Sequence, residues 1–462
     1  MKQKLFDDFK EVSAKEWKQN IQYELKGADY NQKLVWESPE GIKVKPFYHA
    51  DDIQTNTTPH KEALALWKIT QNIVVKDISL ANKSALNAIK GGAESILFTL
   101  PSVNVDFKSL LANIDYTSIS IHCQFESVLT GDVERFANST QIEKEHISFH
   151  IDPIGQLAST GNWFINMGQD LQNLYTLLQI PTTQRPKNII SINAALYQNA
   201  GGTMVQQLAY ALAHANEYLN HFGSNIGSMT FKVAVGSNYF FEIAKIRALR
   251  RLWKLLAAEY GIVSDCHIEA TPSKRNKTLY DYNMNMIRTT TECMAAILGG
   301  ANSVCNLNYD FIYHKNNEFA ERIARNQLVL LKEESYFDEL QNPAEGAYYI
   351  ENLTDQLAEK GLLLFKDIEA NGGFLKQLKY HTVHKKLKES AEKEQEKFNS
   401  SQEILVGSNA YTSEKDMMID QLEVFPFLNQ RKEKTLIEPI LERRLTETLE
   451  KERLKSEGWQ GK

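Results

Sequence analysis

Between Trp67 and Asp310 the chain repeats one alternation eight times, and this repetition restricts the fold more than any other feature. Short β-branched runs occur at 67–75 (WKITQNIVV), 95–100 (SILFTL), 118–124 (SISIHCQ), 146–152 (HISFHID), 188–193 (NIISIN), 230–236 (TFKVAVG), 266–270 (CHIEA) and 303–308 (SVCNLN). Helical patterns lie between and after them, near 78–90, 105–114, 129–139, 167–178, 203–221, 239–260, 282–298 and 316–334. Short apolar runs bounded by turn residues read as strands, and apolar residues three and four apart read as helices. Eight such strand–helix units predict an α/β fold, a (β/α)8 barrel of the TIM type. A doubly wound open sheet is the alternative.

The flanks differ from this repeat. Residues 1–60 form an N-terminal arm: Ser13-Ala-Lys-Glu16 has the form of a capping box, and Leu25 and Gly27 stand near the helix end. An extended hairpin from Leu34 to Pro46 is expected to turn at Ser-Pro-Glu-Gly, 38–41. Such an arm can pack on its own body or embrace a partner. The barrel spans 61–340, and 341–462 forms a helical C-terminal extension opening with a turn at Asn342-Pro343-Ala-Glu-Gly346. The charged stretch 385–400 reads as a solvated helix. Leu436, Ile437, Ile440, Leu441, Leu445 and Leu449 recur at helical spacing and predict a docked terminal helix, with Pro439 tolerated in its first turn.

Composition excludes several classes. With 462 residues, 42% of them hydrophobic, the chain can bury a large core. The net charge of −6 without a basic block argues against a nucleic-acid partner. Four cysteines without a C-x-x-C pair imply buried free thiols rather than disulfides or a zinc site, and no metal site is expected. The first residues carry no apolar targeting segment, and no run of about 18 apolar residues offers a membrane span. A cytoplasmic protein is expected.

A barrel enzyme carries its chemistry at the C-terminal strand ends. These ends offer Lys76-Asp77, Pro101-Ser102, His150-Ile-Asp152-Pro153, Asn193-Ala194-Ala195-Leu196, Gly236-Ser237-Asn238, Glu269 through Ser273, and Asn306 through Asp310. His150 and Asp152 alternate along one strand and could form an acid/base pair, although Asp-Pro is also ordinary turn chemistry. His267 and Glu269 share a strand face, where a hydrogen-bonded core histidine is the better reading. Asp265-Cys-His267 begins like a D-x-H-x-x-G cobalamin-ligand motif but lacks its glycine. Gly201-Gly202 precedes a helix and could present amides to an anion, a close strand–helix turn being favoured. Gly299-Gly300 reads as a helix stop. The first arginine is Arg135, so no earlier segment can supply a bidentate fork for carboxylate or phosphate.

Three long stretches, TFKVAVGSNYFFEIAKIRALRRLW (230–253), DYNMNMIRTTTECMAAILGGANSV (281–304) and FAERIARNQLVLLKEES (319–335), resemble the barrel of methylmalonyl-CoA mutase and its adenosylcobalamin-dependent relatives. NPAEGAYYIENLT (342–354), EILVGSNAY (403–411) and IKVKPFYHADDI (42–53) extend the resemblance over about nine-tenths of the chain. The resemblance implies a (β/α)8 barrel, as the strand count does independently.

The departures from the family pattern carry the functional expectation. Catalytic chains look like Ser-Ile-Ser-Gly-Tyr-His-Met-Gln-Glu-Ala-Gly at the fifth strand; here Ala195 aligns with the tyrosine and Leu196 with the histidine that would bond the thioester carbonyl. At the fourth strand His150-Ile-Asp152-Pro153 replaces Thr-Ile-Gln-Asn-Asp, and an acid at Asp152 would repel the substrate carboxylate. The acyl-CoA clamp should fall between Thr55 and Leu66, where no Arg or Gly occurs, and Phe311 aligns with the glutamate that contacts the adenosyl group. A cobalamin-binding domain is expected to be absent. The resemblance thus implies a non-catalytic small (β) subunit with no catalytic, cofactor or metal residues of its own. Its partner would be a large (α) subunit carrying adenosylcobalamin, the two forming a heterodimer in propionate metabolism. An active mutase barrel using a separate cobalamin-binding subunit is one alternative. A stand-alone enzyme using His150, Asp152, His267 or Glu269 is another.

Overall fold

The computed structural model describes residues 8–52, 66–100, 105–126, 146–181, 185–428 and 433–460. The helix expected near 129–139, Pro101-Ser102, Arg135 and all of the clamp segment except Leu66 lie outside these residues. Strands β1 (Trp36–Glu37) and β2 (Lys43–Val44) form the antiparallel hairpin of the arm. The barrel strands are β3 (Lys68–Val74), β4 (Ser95–Leu100), β5 (Ser120–Phe125), β6 (Ile147–Ile151), β7 (Asn188–Asn193), β8 (Ser228–Val235), β9 (His267–Pro272) and β10 (Ser303–Val304). They pair in parallel in chain order, and β10 closes on β3. Closure excludes the open doubly wound sheet.

Two mechanisms set the elements. Helices start where a short polar side chain satisfies free amides: Asp77 accepts from Leu80 N at 2.8 Å and opens Ile78–Lys90, and Asn166 accepts from Gln169 N at 2.9 Å and opens Met167–Leu178. The Ser13/Glu16 capping box opens Ala14–Glu24 as expected. Along the strands, Ile121, Cys123, Phe149 and Ile151 join the hydrophobic core, and the alternating Ser120, His122, Gln124, Ser148 and His150 face the barrel axis. All four cysteines are buried and free. No helix among the described residues is long and apolar enough to cross a membrane.

The structure corrects several expectations. Leu34 ends a short helix, Tyr30–Leu34, rather than starting the hairpin, because Asp29 caps its amides through Gln32 N at 2.8 Å. The helix expected near 105–114 is confined to Phe107–Leu110. The run 303–308 pairs only at Ser303 and Val304, since Asn306 bonds Leu307 N and Ala324 O and ends the ladder. Residues 436–445 are an extended strap; the terminal helix covers only Glu447–Ser456. Pro439 removes one amide from any helix there, and several of the strap's amides donate to the barrel instead. Ile437 N reaches Gly161 O at 3.1 Å, Ile440 N Ala158 O at 2.8 Å, Arg443 N Asn199 O at 3.1 Å and Leu445 N Arg275 O at 2.9 Å.

Candidate functional site

A cavity of about 680 Å³ occupies the C-terminal mouth of the barrel. Its walls mix apolar side chains such as Ile73, Leu97 and Leu307 with amides and hydroxyls, among them Asn72, Thr99, Gln124, Asn193, Thr271 and Asn306. Among the described residues that line it, none is an arginine. The strap crosses its rim: Glu442 accepts from Asn199 Nδ2 at 3.0 Å and from Lys274 Nζ at 2.9 Å.

The fifth-strand corner divides. Ala195 stands on the cavity wall, whereas Leu196 is 2% exposed and belongs to the hydrophobic core. Neither side chain can donate a hydrogen bond. The same short helix, Ala195–Asn199, brings Asn199 to the wall, where its Oδ1 accepts from Ser273 Oγ and Lys274 N. Phe311 also lines the cavity, and the adjacent Asp310 is buried against His314 Nδ1 and Asn317 Nδ2.

Asp152 corrects two expectations. It is neither paired with His150 nor presented to the cavity. The chain leaves the strand at Ile151, and Asp152 turns outward to cap the helix Pro153–Thr160 through Gly155 N at 2.8 Å. It also accepts from Asn193 N at 2.9 Å and Tyr218 Oη at 2.8 Å, and pairs with His214 Nε2 at 2.8 Å. Burial pushes its carboxyl upward, but the His214 imidazole and these amides outweigh it and hold the group below the usual carboxylate range. His214 Nδ1 then meets Tyr197 Oη at 3.0 Å, and its ring stacks on Phe374. This network ties the barrel wall to the C-terminal extension.

His150 points the other way. Its Nε2 lies 3.2 Å from His122 Nδ1 and 4.0 Å from Glu269 Oε2, all three residues being buried on the barrel axis. His267 donates or accepts through Nε2 with Ser303 Oγ at 2.9 Å, a satisfied core histidine as expected. Lys232 bonds Gln124 Oε1 above this layer, and Lys68 Nζ bonds Ser120 Oγ at 2.8 Å below it. TIM-barrel axes are usually filled by Val, Ile and Leu; this one is filled by imidazoles, lysines and a carboxylate. Burial lowers His122 to about 4 and takes His150 well below its ordinary value. Burial raises Glu269, against the opposing pull of Lys232.

His122, Gln124 and Lys232 were not singled out by sequence reasoning. The signal is present: polar residues at 120, 122 and 124 alternate with apolar ones inside a central strand. Gly201 and Gly202 do form a close turn. A Cβ on Gly201, at φ +89°, would stand 2.6 Å from Ala391 Cβ, and one on Gly202 would stand 2.7 Å from Leu387 Cδ2. The following helix N-terminus already holds a carboxylate, since Met204 N donates to Glu40 Oε1 at 3.3 Å.

Comparison with known proteins adds the family. The family Methylmalonyl-CoA mutase matches residues 99–455. The methylmalonyl-CoA mutase small subunit of Porphyromonas gingivalis is 33% identical over 460 residues, covering 91% of this chain and 73% of that one. The methylmalonyl-CoA mutases of Rhizobium meliloti and Homo sapiens are 27% and 25% identical. They cover 90% and 88% of this chain, which spans 66% and 62% of theirs, less than two thirds in each case.

Proposed function

The chain belongs to the methylmalonyl-CoA mutase family, and from that premise we propose that it is a non-catalytic small subunit working beside a catalytic large one. The observation that carries the reading is the fifth-strand corner. A thioester carbonyl entering this mouth would meet Ala195, with Leu196 turned into the core, and an unanswered carbonyl is costly to bury.

In this proposal the isomerisation of methylmalonyl-CoA to succinyl-CoA, and the adenosylcobalamin that supplies its radical chemistry, belong to the partner. The residues here do not fit that cofactor. Glu442 covers part of the rim, and Phe311 offers only a ring where the resemblance expects a glutamate. No step is therefore routed through this chain.

Its contribution is interface. Among the described residues none of the helix Ala14–Glu24 is fully buried; Trp17 meets Phe47 edge-on yet stays 50% exposed, and Tyr23 is 84% exposed. Aromatic anchors of this kind dominate binding between subunits. Obligate interfaces bury on the order of 2,000–5,000 Å².

The test is co-expression with a large mutase subunit, followed by assay of each chain alone and together with adenosylcobalamin. Turnover by the pair and none by this chain is expected, and the double variant Trp17→Ala, Tyr23→Ala should weaken co-purification at least about tenfold. Adenosylcobalamin-dependent turnover by this chain without a catalytic partner would overturn the reading. Turnover restored by a small cobalamin-binding subunit alone would favour the active-barrel alternative instead.

A further inference from the structure

The imidazoles on the barrel axis face each other in a way that a hydrogen bond alone explains poorly. His122 Nδ1 and His150 Nε2 are 3.2 Å apart, so one proton can serve that contact. His150 Nδ1 and Glu269 Oε2 are buried and have no hydrogen-bond partner among the described residues. A buried carboxylate oxygen without a partner is costly unless the group is paired or neutralised. A cation between them would pair the Glu269 oxygen and take the lone pairs of His122 Nδ1 and His150 Nε2, leaving His150 Nδ1 as it is.

We propose that His122, His150 and Glu269 form a binding site for one divalent transition metal of the zinc class. The three ligand atoms lie within 4.8 Å of one another. A metal at about 2.0–2.1 Å from both nitrogens would subtend roughly 100° between them, close to tetrahedral. Glu269 Oε2, 4.0 Å from His150 Nε2, would have to move inward to complete the same geometry. Two imidazoles and one carboxylate suit zinc, cobalt or nickel and not magnesium or calcium, which take oxygen ligands. A fourth position faces the mouth, where Glu269, Gln124 and Lys232 line the cavity and give an ion its way in.

Burial keeps both imidazoles in the neutral form that ligation needs. Lys232 and Lys68 both oppose a further cation on the axis, and the Glu269 carboxylate offsets part of that charge. The site does not depend on the subunit assignment above, since it uses none of the residues that carry that assignment's corner or arm.

The experiment uses the full-length chain, free of any histidine tag and stripped with a chelator, titrated with Co²⁺ and then Zn²⁺. One Co²⁺ per chain is expected, with the visible absorption of a tetrahedral site, displaced by Zn²⁺. Glu269→Gln and His122→Phe, both close in volume to the residues they replace, should each weaken binding at least about tenfold. Failure of the wild-type chain to bind either ion beyond non-specific uptake would overturn the proposal and leave the cluster a metal-free polar layer. Unchanged affinity in folded variants would overturn it equally. If neither variant folds, anomalous scattering at the zinc edge from crystals of the wild-type chain decides: a peak between the three residues supports the site, and no peak refutes it.

Discussion

His150 and Asp152 stand two positions apart at the end of one strand, and the structure treats them oppositely. Asp152 turns outward and every contact around it is complete: two backbone amides, Tyr218 Oη and His214 Nε2. His150 turns inward to a layer that leaves Glu269 Oε2 and its own Nδ1 without partners among the described residues. Both regions are buried and both join a histidine to a carboxylate. The difference is satisfaction. A closed network of this kind holds architecture together, and an open one is kept for something else or is paid for by the rest of the fold.

The largest expected effect breaks the closed side. Asp152→Ala leaves His214 and Tyr218 buried opposite a void and uncaps the helix Pro153–Thr160, so urea unfolding should show a loss of about 3–5 kcal/mol. The charge has its own signature. Because the folded carboxyl is held below its ordinary value of 3.8, its stabilising share is present above that value and is lost as pH falls through the folded one. Wild type should therefore lose stability faster than Asp152→Asn across that acid window, and parallel curves would refute the assignment.

How far this was legible depends on whether the forces are local. Strand alternation and caps such as Asp77 and Asn166 are written in neighbouring residues, and the elements they bound appear where the periodicity puts them. The strap 436–445 misled because its apolar residues fall at helical spacing, while the amides that decide its conformation bond carbonyls near Gly161, Asn199 and Arg275. The direction of Asp152 was equally hidden, since His214 and Tyr218 lie on the helix Met204–Phe222 and nothing beside Asp152 announces them. His150 and Glu269 were visible as candidates on separate strands; that they share a layer with His122 follows only from barrel closure.

A middle-sized effect tests the corner between the two regions. Leu196→His would restore the family's residue type without its setting, because that side chain lies in the core and not on the cavity wall. The variant should lose about 2–3 kcal/mol of stability, from lost apolar burial and an imidazole with no partner, and should gain no acyl-CoA binding by calorimetry. Gain of binding would mean that the corner can swing back toward the mouth.

The smallest effect belongs to the open side. In metal-free protein Glu269→Gln should change stability by no more than about 1 kcal/mol, since it removes a charge whose burial is incompletely answered. Its sign should depend on pH in the opposite sense to Asp152. The folded Glu269 carboxyl is raised above 4.5 by burial, so wild type loses stability as pH rises from the unfolded value toward the folded one. Glu269→Gln escapes that loss and should gain on wild type as pH rises above the ordinary carboxylate value of 4.5. A loss as large as that of Asp152→Ala would show that the inner layer is as closed as the outer network, and the contrast between the two faces of this strand would collapse.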